Sequence, residues 1–328
     1  MELWYALTPA VMDSQLWGVT LFRAMKYAVC LIAAFAVAGC GKSKDKSSGA
    51  GSGSPAAPAG SGSAAAAVGS AAAGSAAAGS AAAGSAAQAP PAPYTPAADV
   101  PDPIKAAIAA PDRTDDDRAL DAGRKPGEVL AFFRVAAGQK IGELFAGGGY
   151  SSELIARIIG DGGALYAQNS KEVLDRFARK PWSERAARPV MKHVVALERP
   201  IDDPFPATVR DLDAVITILN YHDAVWQKAD RPKMNKAVFT ALKPGGIYAI
   251  VDHSAAAGSG LRDVETLHRI DEEAVKQEVT AAGFALDASS DVLRNPADPR
   301  DWNSSPRNAG ERRGTSDRFV LRFVKPAK

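Results

Sequence analysis

Residues 143–154 read ELFAGGGYSSEL. Upstream, "KIGELF" (140–145) is apolar enough for a short buried strand, and "YSSELIARII" (150–159) has helical spacing. Between them stand Gly147, Gly148 and Gly149. Glycines let the backbone adopt positive φ and let a ligand approach closely. The helix that follows presents free N–H groups and the positive end of its dipole. A strand, a glycine turn and a helix in that order predict a ligand-binding loop.

Strand and helix patterns alternate outward from this loop. Ala119 to Ala137 reads as a helical lead-in broken at Pro126 and Gly127. Further strands are expected at 163–168, 192–197, 212–219, 246–252, 284–289 and 317–324. Helices are expected near 171–179, at 231–242 and at 269–283, the last stopping at Gly283. The last strand, "DRFVLRFV", alternates polar and apolar residues as a half-exposed antiparallel strand does. The other strands are nearly continuous apolar runs, which predicts an α/β sheet covered on both faces. Ligands of such sheets bind at the carboxyl ends of the strands, near the switch in strand order.

Two cofactor classes use a turn of this kind. A dinucleotide fold wants G-x-G-x-x-G, but Ser152 stands at the third place. Glu143 also ends the first strand, and a carboxylate there suits a cationic group better than a pyrophosphate. Glu143, Phe145, Gly147 and Gly149 follow the pattern acidic-x-(Gly or Phe)-x-Gly-x-Gly. This resembles the signature of class I S-adenosylmethionine-dependent methyltransferases. "ALKPGGIYAIVDHS" (241–254) resembles the helix end, turn and fifth strand of those enzymes, and "AAGF" (281–284) their turn into the sixth. The resemblance covers nearly all of residues 115–325. "YHD", "VDHSA" and "RGTSDRFVLRF" are similar to a narrower group, the bacterial predicted methyltransferases.

The resemblance implies a Rossmann-like fold with a mostly parallel seven-stranded sheet, helices on both faces and an antiparallel last strand. It implies S-adenosylmethionine as cofactor. It also implies cofactor contacts at Glu143, Phe145, Ala146, Gly147, Gly149, Tyr150, Asn169, Glu198 and Asn220. One departure stands out. The acidic residue that ends the second strand in the family, holding the ribose hydroxyls, is Asn169 here, or Gln168 if the register slips by one. An amide accepts a hydrogen bond but lacks a carboxylate's charge. Glu198 resembles the residue beside the adenine, and a solvated loop carboxylate is the alternative.

Methyl transfer is an in-line displacement, so the protein aligns the partners and removes the acceptor's proton where needed. The groups for that work are expected beyond the fourth and fifth strands. Tyr221, His222 and Asp223 are the catalytic candidates, with His222 as base. His222, Asp223, Asp252 and His253 form a mixed nitrogen and oxygen set compatible with a divalent metal. A polar cluster without metal is the reading adopted. The Asn/Asp-Pro-Pro-aromatic loop of enzymes that methylate base amino groups is absent, and no Lys/Arg block stands out, so no nucleic-acid partner is expected. Ser254 lacks the G-x-S-x-G elbow of a hydrolase. His193, inside an expected strand, is expected to be structural, and His268, at the start of an expected helix, to be a surface or packing residue. "RNPADPRDW" (294–302) is either a cover for the site or a surface excursion, and Trp226, Trp302 and Tyr150 are candidate pocket aromatics.

The amino-terminal part differs in kind. Lys26 and the apolar run Ala28–Ala38, too short to span a bilayer, end in Val37-Ala38-Gly39-Cys40. This resembles a bacterial lipobox, with Met25 as the expected start, residues 1–40 as the signal region and Cys40 as the lipidated residue. Of the two cysteines, Cys30 would then be removed and Cys40 acylated. Residues 41–98 are rich in Gly, Ala, Ser and Pro, with a Gly-Ser-Ala-Ala-Ala pentad from Gly69, Gly74 and Gly79. They are expected to be a disordered tether of roughly 40 Å r.m.s. span. Residues 99–328 are the expected methyltransferase-like domain. The anchor implies the cell envelope, at the outer membrane facing the periplasm or the exterior. The implied cofactor is made in the cytoplasm. That conflict leaves two functions open: an anchored methyltransferase with a small-molecule acceptor, or a catalytically inactive binding module for a nucleoside-like or other small ligand.

Overall fold

The computed structural model describes residues 93–327. The signal region, Cys40 and most of the tether lie outside the described residues. Tyr94 and Ala97 already belong to the head. The Gly127 N–H donates to the Tyr94 hydroxyl at 2.9 Å, and the Ala97 N–H to Glu128 Oε1 at 2.9 Å. The head therefore takes in a few residues before 99. Among the described residues no helix is long and apolar enough to cross a membrane.

Three helices lead in: α1 (Asp102–Ala109), α2 (Asp115–Arg124) and α3 (Pro126–Phe132). The Thr114 hydroxyl caps α2 by accepting from the Asp117 N–H at 3.2 Å. Lys125, at φ 43°, ends α2 and turns the chain into α3, whose first residue is Pro126. The break expected at Pro126 is thus a boundary between two helices. Next come β1 (Lys140–Leu144), α4 (Tyr150–Ile159) and β2 (Ala164–Asn169). The short α5 (Lys171–Val173) passes through a π-type turn at Leu174–Ala178 into α6 (Arg179–Ala186). Then follow β3 (Val194–Glu198), β4 (Leu212–Ile218), α7 (Tyr221–Trp226) and α8 (Arg231–Ala241). The chain closes with β5 (Leu242–His253), α9 (Val264–Leu267), α10 (Glu272–Ala281), β6 (Ala285–Ser290) and β7 (Arg318–Val324).

The strands form one seven-stranded sheet in the order β3-β2-β1-β4-β5-β7-β6. All neighbours up to β5 are parallel, and β7 runs antiparallel to both β5 and β6. This is the Rossmann-like arrangement of class I methyltransferases. The strand order reverses between β1 and β4, so the crevice there is the switch point. Side chains alternate between two apolar layers. Ala214, Ile216, Ala249 and Val251 face one layer with Ile141, Ile155 and Leu165. Val215, Tyr248 and Ile250 face the other with Met234, Val238 and Val275. Both faces are buried, which accounts for the continuous apolar runs.

Two expectations change. β7 is buried along nearly its whole length, because it lies between β5 and β6. Its polar residues are accommodated by pairing. Arg322 donates to Asp287 Oδ2 at 2.6 Å and to the Phe132 carbonyl at 2.5 Å, and Arg318 donates to the Ser316 and Gly314 carbonyls. The helix expected at 269–283 starts only at Glu272, capped by Asp271. Before it, the Ile270 N–H donates to the His253 carbonyl, which fastens this segment to the end of β5.

Gly142 marks a close contact in β1. A Cβ there would lie 2.6 Å from Phe205 Cζ and 3.1 Å from Leu212 Cδ1. Gly142→Ala should cost about 1–3 kcal/mol through overpacking, read as a lower urea midpoint with an unchanged slope.

Candidate functional site

The chain leaves β1 through Phe145–Gly149 and enters α4. Gly147 and Gly149 hold φ 57° and 83°, conformations that a side chain would strain. A Cβ on Gly149 would also meet Arg185 Cδ at 2.7 Å. Phe145 itself lies at φ 54°, and Leu219, just past β4, at φ 62°. Bulky residues rarely adopt this region, which costs of order 1–3 kcal/mol and concentrates at ligand sites. Here the two strained residues flank the switch-point crevice. The Phe145 N–H donates to Gln168 Oε1 at 3.2 Å, and the Leu219 N–H to the Val251 carbonyl at 2.8 Å.

Glu143 is buried at the end of β1. The Ser151 hydroxyl donates to its Oε1 at 2.5 Å, and the Ser152 hydroxyl to its Oε2. Burial pushes the Glu143 carboxyl upward, against the pull of the two serines and of Arg185. A carboxylate has about four acceptor positions, so two serines leave room for a cationic ligand group. Such a group would offset the desolvation that now opposes ionisation. Ser152, which breaks the dinucleotide pattern, therefore has a definite partner.

The amides that end β2 are committed to the loop. The Gly147 N–H donates to Asn169 Oδ1 at 2.8 Å, and Asn169 Nδ2 donates back to the Gly147 carbonyl at 3.3 Å. Gln168 is buried and donates to the Arg199 carbonyl at 2.8 Å. Asn169 thus shapes the glycine turn and is not among the residues lining the crevice. Glu198 ends β3 with an exposed carboxylate, 3.4 Å from Arg179, and does not line the crevice either.

A clamp absent from the sequence reading lies across the loop. Arg185 in α6 donates from Nε to the Gly148 carbonyl at 2.8 Å. Its other nitrogens pair with both oxygens of Asp117 and with Glu153. Tyr150 is fixed by its hydroxyl, which donates to Asp121 Oδ1 at 2.6 Å, and by the Arg124 guanidinium 4.3 Å from its ring centroid.

Across the crevice, the ends of β4 and β5 bring histidines and carboxylates together. His222 is fully buried, and its Nδ1 lies 2.6 Å from Asp252 Oδ1. The backbone N–H groups of His222 and His253 also donate to Asp252. His222 Nε2 has no hydrogen-bond partner and lies 3.4 Å from Asp223 Oδ1. Asn220 Nδ2 holds Asp223 Oδ2 at 2.8 Å. The His268 ring stands 4.0 Å from that of His222, edge to face, with Nε2 4.0 Å from Asp223 Oδ1. Burial opposes a proton on His222, but Asp252 and Asp223 outweigh it and raise the imidazole to about 9. His268 is pushed down to about 4 by burial and by His222, and His253 well below its usual range for the same two reasons. His253 Nδ1 is engaged with the Ser316 hydroxyl at 2.7 Å. Tyr221 points elsewhere: its hydroxyl meets Glu278 at 2.9 Å and Asn235 at 2.8 Å in the core.

Together these walls enclose a cleft of about 710 Å³. Glu143 and Phe145–Gly148 line one side, and Asn220, Asp223, His253 and His268 the other. Its rim includes Phe177 in the π-type turn, Trp226, and Asn303 with Ser305–Asn308. None of residues 294–302, Trp302 included, lines the cleft; the chain reaches it only beyond that Pro-rich loop, from Asn303 on. π-type turns are frequent at functional sites. Of the sequence candidates, the cleft gathers Glu143, Phe145, Ala146, Gly147, Tyr150, Asn220 and Asp223. It adds Arg185 and His268, which sequence reading assigned no part in the site.

No protein-family model matches the chain, and no curated protein matches it in sequence. Solved structures do. A S-adenosylmethionine-dependent methyltransferase from Aquifex aeolicus is 16% identical, over 60% of this chain and 88% of that one, with a TM-score of 0.43. An O-methyltransferase from Thermotoga maritima is 17% identical, over 70% and 72%, with a TM-score of 0.41. The cyclase SpnF is 16% identical, over 66% and 84%, with a TM-score of 0.46. At such identities the likeness concerns the fold alone.

Proposed function

We propose that this chain is an S-adenosylmethionine-dependent methyltransferase acting on a small molecule. The observation that carries the proposal is Glu143 at the switch point, buried beside a strained glycine loop and facing the cleft. The buried carboxylate suits a cationic group of a ligand, and the free N–H groups at the helix N-terminus beside it suit an anionic one. S-adenosylmethionine, when bound, supplies an electrophilic methyl group on a sulfonium. Glu143, the Phe145–Gly148 backbone and Asn220 would hold it. Asp223, His253 and His268 lie on the opposite wall, where an acceptor would be positioned. The enclosed volume suits a small molecule better than a duplex. The Val37–Cys40 motif supports a lipid anchor at the bacterial envelope, and the "YHD" and "VDHSA" segments support membership of the bacterial predicted methyltransferases.

One observation favours the second reading, a ligand-binding module without turnover. Asn169 is occupied by Gly147, so no carboxylate at the end of β2 is offered to a ribose. Turnover decides between the two. The full chain with S-adenosylmethionine is expected to accumulate S-adenosylhomocysteine when one of a panel of small phenols, amines, thiols and carboxylic acids is added. Tight cofactor binding with no product from any acceptor would favour the binding module.

A further inference from the structure

We infer that His222, Asp223 and His268 form a binding site for one divalent first-row transition metal ion, of which zinc is the representative. The site stands independently of the methyl-transfer reading. Each of the three residues offers one ligand atom, and all three atoms lie within 4.8 Å of one another. Zinc–nitrogen bonds of about 2.0–2.1 Å and zinc–oxygen bonds of about 2.0–2.2 Å put tetrahedral ligand atoms roughly 3.3–3.5 Å apart. His222 Nε2 and Asp223 Oδ1 are 3.4 Å apart, and His268 Nε2 and Asp223 Oδ1 are 4.0 Å apart. Only a small inward movement of His268 would complete the set. Its side chain is 22% exposed.

The second, independent observation is His222 Nε2. The ring is fully buried, and this nitrogen has no hydrogen-bond partner. Buried polar atoms without partners are rare and call for an explanation. With Nδ1 held by Asp252, Nε2 is the nitrogen on the side of Asp223, and a metal ion would take its lone pair by displacing the proton there. A carboxylate that fixes a histidine through its far nitrogen is the recurrent outer support of metal-bound imidazoles. Asp252 is itself fixed by the N–H groups of His222 and His253. Asn220 holds one oxygen of Asp223, so the other is the one turned to the histidines.

Two histidines and one carboxylate suit zinc, manganese or iron(II), and three protein ligands leave coordination for a small molecule. Asp223 and His268 line the cleft, so that coordination faces its interior. An oxygen donor such as a hydroxyl or carboxylate is the chemistry the ion would take there. Asp252 and His253, in the metal set suggested by the sequence, serve otherwise: Asp252 supports His222, and His253 bonds Ser316.

The test uses the full chain, stripped by chelator and titrated with Co²⁺ as a spectroscopic probe, without other ligands. One equivalent should bind, with visible absorption that Zn²⁺ displaces. His268→Ala, at a partly exposed position, should keep the far-UV spectrum of the fold and lose the cobalt absorption. Asp252→Asn should weaken cobalt binding by about 10–100-fold, as loss of an outer support does. If Asp252→Asn fails to fold, His268→Ala alone decides. No cobalt absorption in the wild type, or equal absorption in His268→Ala, would overturn the assignment. Both readouts are independent of S-adenosylmethionine, so failure of methyl transfer leaves them unaffected.

Discussion

Arg269→Met is expected to destabilise the head by about 3–5 kcal/mol, the cost of leaving a buried charge without its partner. Arg269 and Asp298 are 0% and 1% exposed in their side chains, and Nη1 donates to Asp298 Oδ2 at 2.7 Å. Arg269 also donates to the Ser254 carbonyl at 3.0 Å and to the Trp302 carbonyl at 3.1 Å. Asp298 further accepts from Trp302 Nε1 and from the Asp317 and Arg300 N–H groups. One pair thus ties the 291–317 loop to the end of β5 and to the entry of α10. For a domain of this size the loss corresponds to a fall in Tm of roughly 10 °C. Arg269→Lys should rescue little, because an ammonium cannot reproduce the forked contacts. Burial would raise the Asp298 carboxyl, but the N–H groups of Asp317 and Arg300 and the Arg269 guanidinium prevail and hold it low. The sign follows. Its contribution is complete above the ordinary carboxylate value of about 3.9 and is lost as pH falls through the lowered folded value. Wild type and Asp298→Asn should therefore converge in stability in strong acid and differ most at neutral pH.

Glu143→Gln should weaken S-adenosylmethionine binding by roughly 10–100-fold, the range expected for losing a charged hydrogen-bond acceptor of about 1.5–3 kcal/mol. The substitution keeps the shape of the side chain and one acceptor oxygen for the serines. Thermal stability should change little, because burial already opposes the charge on Glu143. A large loss of affinity with an unchanged Tm separates a ligand contact from a structural carboxylate. Equal loss of both would assign Glu143 to the fold.

Much of the fold was legible because a sheet covered on both faces writes its strands as apolar runs. β1, β4 and β5 are of this kind. β7 misled because its arginines read as solvent-facing, whereas Arg322 is paired with Asp287, 35 residues away. α6 escaped because RKPWSERA is polar and contains Pro181. Only Trp182 in it is buried, and ion pairs of Arg185 with Asp117 and Glu153 hold it. Those partners are distant in sequence, so no local pattern announces them.

The site divides in the same way. Glu143 and its glycines stand within seven residues of chain, and their spacing alone suggested a ligand loop. The role of Asn169 depended on where its amide points, which is toward Gly147. His268 stands just before "RIDEEAVKQEV", whose helical pattern suggests only a helix start. It instead lies at φ 56°, at the end of α9, with its ring against His222. The "YHD" segment suggests His222 as a base at the cleft, but the structure buries its ring, and Asp223 and His268 line the cleft in its place.

The central claim is that the cleft between β1 and β4 holds S-adenosylmethionine. Calorimetric titration of the full chain with S-adenosylmethionine and with S-adenosylhomocysteine tests it most directly. The account predicts saturable binding of each at one site per chain. A folded wild type that gives no binding heat with either ligand, with or without added divalent metal, would contradict it.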